Sequence, residues 1–336
     1  MSTTGHDHGD HHDHGHRHGG VDAAIASSER GLWALKWSLA GLGLTAALQL
    51  VIVIISGSVA LLADTIHNFG DALSALPLAV AFVLSRRPPS PRFPFGLHRS
   101  EDLAGLVIVG LILFSAVFAA YESIQRLIDP EPINALGAVA VAGVIGFLGN
   151  EAVAVFRIKV GREIGSAALI ADGKHARVDG LTSLAVVAGA AGVALGAPIA
   201  DPIAGLLISL VIFKIVWDAA SDIGERMLDG IDPAITAHIR TVATAVPGVR
   251  EVSDLRARWL GHTIRAEVNV TVSEKLSATG AHDVAVHVVQ ALREEVDFLD
   301  DAMVHVDPVS SSGEHHHEGT PRHDGVPPAD LRLPTR

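Results

Sequence analysis

The chain has 336 residues, 49% of them hydrophobic, a formal charge of −12 and no cysteine. Positive mean hydropathy beside strongly charged stretches describes a membrane protein that also carries soluble parts. The missing cysteine excludes disulfides and thiolate metal sites, and the acidic balance argues against nucleic acid as a partner.

Met1 to Gly20 holds seven of the nineteen histidines, interleaved with Asp and Gly as HDHGDHHDHGHRHGG. Such a tract cannot bury a core, so residues 1–30 are expected to form a disordered tail that binds metal loosely. A polar start before the first apolar run implies no cleavable signal peptide; the first apolar helix itself would direct insertion. Six spanning segments follow: Leu32 to Ile55, Gly57 to Leu84, Leu103 to Leu127, Asn134 to Phe156, Ala167 to Leu195 and Pro198 to Trp217. Together they predict a membrane domain over residues 31–220. Trp33 and Trp37 stand where interfacial anchors belong.

The fifth segment is unusual, because its continuous apolar part, Gly180 to Leu195, is shorter than the roughly 20 residues a bilayer needs. Extending it back to Ala167 brings in Asp172, Lys174, His175, Arg177 and Asp179. That makes sense if the polar half lines a cavity rather than lipid. The basic residues Arg86, Arg87, Arg92 and Arg99, and then Arg157, Lys159 and Arg162, fall in the stretches between segments two and three and between four and five. By the positive-inside rule these face the cytoplasm, and six spans then put both termini there. Gly143, Gly146, Gly149, Gly189 and Gly192 suit close helix packing. Asn150 and Glu151 are expected to pair helices or to snorkel.

Two polar clusters interrupt the apolar helices at one spacing. LLADTIHNFGDAL (Leu61 to Leu73) carries Asp64, His67 and Asp71, and DGKHARVD carries Asp172, His175 and Asp179. His67 lies about 15 Å into its segment at the helical rise, near mid-membrane. Each His and Asp pair, four apart, shares a helix face, with another Asp one turn before it. Carboxylates in a bilayer cost roughly 2.5 to 3.5 kcal/mol each, so partners are required. Two imidazoles and two carboxylates in a tetrahedron suit zinc. The bland alternative is two structural clusters tied by salt bridges to Lys174 or Arg177.

From Ser221 the composition is that of a soluble domain, expected over residues 221–309. Pro233 to Ala245 reads as a helix capped by Asp232 and stopped by Pro247-Gly248. Ser253 to Leu260 reads as a strand, and Ile264 to Val272 alternates strictly. Thr279 to Val296 has helical spacing and Ala302 to Val306 is a last short strand, giving an α+β sandwich. The tail, residues 310–336, contains His315, His316, His317 and His323 and is expected to be disordered.

The stretches SVALLADTIHNFGDALS, FGLHRSEDLAGL, DGKHARVDGLTSL and RMLDGIDP together resemble the cation diffusion facilitators, a family of metal/proton antiporters. The resemblance spans about Leu32 to Pro308. It implies an α-helical membrane protein with six transmembrane helices plus a C-terminal ferredoxin-like cytoplasmic domain, usually a homodimer. It places the transport site on His67, Asp71, His175 and Asp179, with Asp64 and Asp172 orienting the imidazoles. It further implies a regulatory metal site at His282, His305 and Asp307, assisted by His262; the alternative is that these four are ordinary polar surface residues. Ser253 and Asn269 stand where some members have His. Leu97 takes a position that can carry a loop ligand, leaving His98 as the loop candidate and Arg99 and Glu101 as structural ion-pairing residues. His238 and His287 read as helix-surface residues.

The expected function is proton-coupled efflux of Zn2+, with Cd2+ or Co2+ also suited, from the cytoplasm of a bacterial cell across its inner membrane, without an organic cofactor. Two other classes compete: an intramembrane zinc metalloenzyme and a metal sensor. No His-Glu-x-x-His pattern and no Gly-x-Ser-x-Gly elbow supports an enzyme. Sensing does not require ligands at mid-membrane.

Overall fold

The computed structural model describes residues 19–56, 75–129, 136–197 and 199–311. The histidine-rich stretch before Gly19, the residues 57–74 that include Asp64, His67 and Asp71, and the tail after Ser311 lie outside the described residues.

Among the described residues six helices build the membrane part: α1 (Gly19–Ser56), α2 (Ala75–Ser85), α3 (Ser100–Ile128), α4 (Leu136–Glu163), α5 (Ala167–Ala194) and α6 (Ala200–Met227). Five of them are long and apolar enough to cross a bilayer, and α2 supplies eleven residues of the expected second span. Helix α1 starts at Gly19, so residues 19–30 of the tail expected to be disordered are helical. Its AAIASSER run (Ala23–Arg30) has no helix breaker, and Arg30 is tied to Glu163 at 3.6 Å.

Helices α4 and α6 also outrun their expected ends. Nothing between Phe156 and Glu163 breaks a helix, so Arg157, Lys159 and Arg162 are helical rather than a basic loop. The chain reverses only at Gly165, whose φ of +71° suits glycine, and Ser166 then caps α5 by accepting from Leu169 N–H at 3.2 Å.

Helix α5 lies in the centre, packed against α4, α6 and α3. Its seam with α4 is made by glycines. A Cβ on Gly161 would fall 2.8 Å from Ile170 Cγ1, one on Gly173 2.7 Å from Ile158 Cγ1, and one on Gly143 2.6 Å from Val187 Cγ2. A Cβ on Gly149 would sit 2.1 Å from Thr45 Oγ1, which draws α1 against α4. Exposed Leu, Ile, Val and Phe cover the outer faces of α1, α3 and α6, as lipid contact requires.

The C-terminal domain consists of α7 (Pro233–Ala245), β1 (Val249–Leu260), β2 (Thr263–Val272), α8 (Ala278–Glu295) and β3 (Leu299–Pro308). Asp232 caps α7 through Ala234 N–H at 2.8 Å. The sheet order is β1-β2-β3, antiparallel between the first two strands and parallel between the last two. The parallel pair needs a crossover, which α8 supplies. The alternation of β2 turns Ile264, Ala266, Val268, Val270 and Val272 into the core, where Ile239, Val242, Val288 and Leu292 of the two helices meet them.

Candidate metal transport site and domain junction

Asp172, His175 and Asp179 recur at three and four residues along α5, so one helix face carries all three. All are buried: Asp172 is 0%, His175 2% and Asp179 8% exposed. His175 Nδ1 lies 3.9 Å from Asp179 Oδ1. The carboxylate and imidazole therefore face one small region inside the bundle, away from lipid.

The neighbouring cations go elsewhere. Lys174 Nζ meets Asp222 at 2.8 Å, and Arg177 forms a fork on Glu151 at 3.0 and 2.7 Å. Lys174 and Arg177, the cations that the bland reading offered, are thus paired with Asp222 and Glu151. Glu151 thus pairs helices α4 and α5, and Asn150 is buried beside them. Arg157 is the residue that sequence reasoning misplaced. Read as a loop cation, it is a fully buried side chain of α4, with Nη1 2.9 Å from Asp172 Oδ2. The unbroken helical run from Phe156 to Glu163 was the signal available for it. Asp172, expected to orient an imidazole, has its carboxylate engaged by this guanidinium.

Among the described residues no three His, Asp or Glu side chains converge as a metal-holding set. The α5 pair is half of the predicted four-ligand site, and the other half, His67 and Asp71, lies outside the described residues.

A second buried polar cluster joins the two domains. The β1–β2 turn inserts Gly261 and His262 beneath α3. His262 Nδ1 lies 2.6 Å from Glu101 Oε1, both side chains 1% exposed, and the ring is 6.3 Å from the Phe82 ring. Gly261 N–H donates to Asp102 Oδ2 at 3.4 Å. Arg226, at the end of α6, donates to the carbonyls of Gly165 and Gly261 at 2.8 and 3.2 Å and lies 4.0 Å over the Trp259 ring. Arg99 pairs with Asp229, which Arg258 also reaches at 3.4 Å. His98 is pushed below the usual histidine pKa, first by burial, with His262 and Arg265 adding to the shift and Asp300 and Glu101 opposing it.

The expected cytoplasmic metal set is dispersed. His305 Nε2 lies 3.0 Å from Asp307 Oδ1 on β3, and His282 is exposed near the start of α8. His262 is not beside them. Position 264 pairs with Leu299 and position 271 with Asp307, so the β1–β2 turn and Asp307 stand at opposite ends of the sheet. At about 3.3 Å per residue that is more than 20 Å, beyond any shared ion. Ser253 donates to the Asn269 carbonyl at 3.3 Å. His238 Nε2 lies 3.0 Å from the Glu295 carbonyl, and His287 is exposed on α8.

Apolar helices long enough to cross a bilayer, with a mixed-sheet domain at one end, describe an integral membrane protein. The chain belongs to the cation efflux family, the cation diffusion facilitators: residues 35–228 match the cation efflux transmembrane domain and residues 231–309 the cytoplasmic domain of cation efflux proteins. It is thus a transporter of metal cations.

A probable cation efflux system protein of Mycobacterium tuberculosis is 50% identical over 288 residues, covering 86% of this chain and 87% of that protein. The manganese efflux system protein MneS of Bacillus subtilis is 27% identical over 276 residues, covering 81% and 93%. The magnetosome protein MamB of Magnetospirillum gryphiswaldense is 28% identical over 268 residues, covering 78% and 89%.

Proposed function

We propose that this protein exports Zn2+ from the cytoplasm in exchange for protons, through a four-ligand site made by His67, Asp71, His175 and Asp179. The observation that carries the reading is the burial of His175 and Asp179 together on one face of the central helix α5. A donor set of two imidazoles and two carboxylates, in a chain without cysteine, suits zinc better than softer or harder ions. Cadmium and cobalt fit the same geometry.

Zinc requires neutral imidazoles and ionised carboxylates, so loading from the cytoplasm displaces protons held by those groups. When the site opens to the other side, protons return and metal affinity falls. Competition for one set of groups gives antiport without a separate proton path, and the groups titrate as a coupled set. Rocking of helices around a fixed site supplies alternating access. In this reading the protein is a homodimer through its cytoplasmic domain, lies in a bacterial inner membrane and has both termini in the cytoplasm. His282, His305 and Asp307 would hold a regulatory metal only with further ligands.

The manganese assigned to MneS by its name makes that ion the competing cargo. The test is metal flux in proteoliposomes under an imposed pH gradient, for wild type and Asp179→Ala, with zinc and manganese. Gradient-driven zinc flux lost in the variant supports the reading. Flux that survives the substitution removes the site, zinc binding without flux removes transport, and faster manganese than zinc transport removes the metal assignment.

A further inference from the structure

Arg157 and Asp172 are the most deeply buried ion pair among the described residues, 1% and 0% exposed at 2.9 Å, and the transport scheme above makes no use of them. A buried pair of this kind rarely adds stability over apolar residues of similar size, so its presence asks for another reason. Asp172 precedes His175 by three residues and Asp179 by seven, on the same face of α5. It is a third acidic group one turn from the imidazole. Arg157 Nη1 lies 2.9 Å from Asp172 Oδ2, yet neither carboxylate oxygen has a hydrogen-bond partner among the described residues, and neither do Arg157 Nε and Nη2, so charge rather than hydrogen bonding holds the pair. The guanidinium is held opposite by the glycine seam. A Cβ at Gly173 would come within 3.0 Å of the Ile158 backbone nitrogen, so α4 and α5 approach as closely as backbones can beside the pair.

We propose that Arg157 is a specificity-determining residue for transport: by neutralising Asp172 it keeps a third carboxylate out of the metal site. The inference rests on the reading of His175 and Asp179 as transport ligands. With Arg157 present, the site offers two imidazoles and two carboxylates, whose charge a dication balances. Without it, Asp172 is a buried anion whose nearest available counter-charge is the dication one turn away. An added carboxylate favours hard, oxygen-preferring ions such as Mn2+ over Zn2+ and holds any dication longer. Arg157 positions a neighbour and does not itself touch the metal.

The experiment is proteoliposome flux of Zn2+ and Mn2+ for wild type, Arg157→Gln, Arg157→Lys, Asp172→Asn, the Arg157→Gln/Asp172→Asn double variant and Asp179→Ala, each first checked for a monodisperse elution profile. In Arg157→Gln the Mn2+/Zn2+ ratio rises about tenfold, and KM and kcat for Zn2+ fall together. Arg157→Lys and the double variant keep the wild-type ratio. A merely structural pair would lower both fluxes in proportion and leave the ratio unchanged, which overturns the proposal. If Arg157→Gln does not fold, the double variant decides, because it removes both charges together: an unchanged Zn2+ KM supports exclusion of Asp172, whereas a raised KM makes Asp172 a direct ligand and overturns it. Asp179→Ala separates the two readings. Wild-type flux in that variant sinks the transport site itself, whereas lost flux beside an unchanged ratio in Arg157→Gln sinks only the role of Arg157.

Discussion

Replacing Glu101 by Ala should undock the β1–β2 turn from the membrane helices. The carboxylate meets His262 Nδ1 at 2.6 Å in a spot where both side chains are 1% exposed, and Ser166 Oγ is 3.5 Å from its other oxygen. Truncation leaves a buried imidazole without that partner, which costs about 1 to 3 kcal/mol. The cost falls on the docked state alone, because an undocked turn exposes His262 to water. Local opening therefore becomes about 5- to 150-fold more frequent. Glu101→Gln keeps an acceptor of the same shape and should cost less than half as much. Amide hydrogen exchange at Gly261–Thr263 in detergent or nanodiscs reads the opening directly, and strands β2 and β3 serve as internal reference. Unchanged exchange in Glu101→Ala would refute the reasoning, because the pair would then contribute nothing to docking. Equal acceleration throughout the domain would mean global unfolding rather than release of the turn.

Three further outcomes follow from the same geometry. Burial holds His98 below its usual pKa, so the unfolded chain takes up its proton first as pH falls. Stability is full above about pH 6.5 and declines below it towards the folded value, and His98→Gln should flatten the decline between melts at pH 7.5 and 5.5. Ile264 is fully buried between sheet and helices, so Ile264→Ala should destabilise the cytoplasmic domain by about 2 to 5 kcal/mol in denaturant titrations followed by hydrogen exchange. Gly149→Val should lower the melting temperature in nanodiscs, because its Cβ would sit 2.1 Å from Thr45 Oγ1; Thr45→Ala should recover part of the loss.

The elements that sequence reasoning located well are those whose local signals agree. Asp232 before Pro233 is a cap with a turn residue behind it, and the strict alternation from Ile264 to Val272 has one solution once one face is buried. Helix ends in the membrane domain were harder. Charge was read as loop at Arg157, Lys159 and Arg162, yet a helix continues until something stops it, and here the first stop is Gly165-Ser166. His175 and Asp179 were legible because a polar pair four apart inside an apolar run is too costly in lipid to stand without a ligand or a counter-charge. The partner of Asp172 was not, because it lies fifteen positions earlier on another helix, and only the α4–α5 register brings it there. The resemblance grouped His262 with a metal set at the far end of the sheet. Its actual partner, Glu101, is 161 residues away, a separation on which hydropathy and spacing carry no information.

The junction and the buried His175–Asp179 pair share one helix. Ser166 caps α5 and sits against Glu101, and His175 follows nine residues later, about 13 Å along the axis. Arg226 binds the Gly165 carbonyl with one hydrogen bond and the Gly261 carbonyl with another, while its plane rests on Trp259. The β1–β2 turn, the end of α6 and the start of α5 are thus fastened at one arginine. A displacement of the sheet relative to the membrane helices must either break that fork or carry the Gly165–Ser166 turn with it. In the second case the movement is delivered to the base of the helix that bears His175 and Asp179, whose close glycine contacts with α4 resist bending. Motion entering from the cytoplasmic domain therefore reaches His175 and Asp179 through α5 moving as one rod, and the same displacement carries Asp172 with them and shifts it against Arg157.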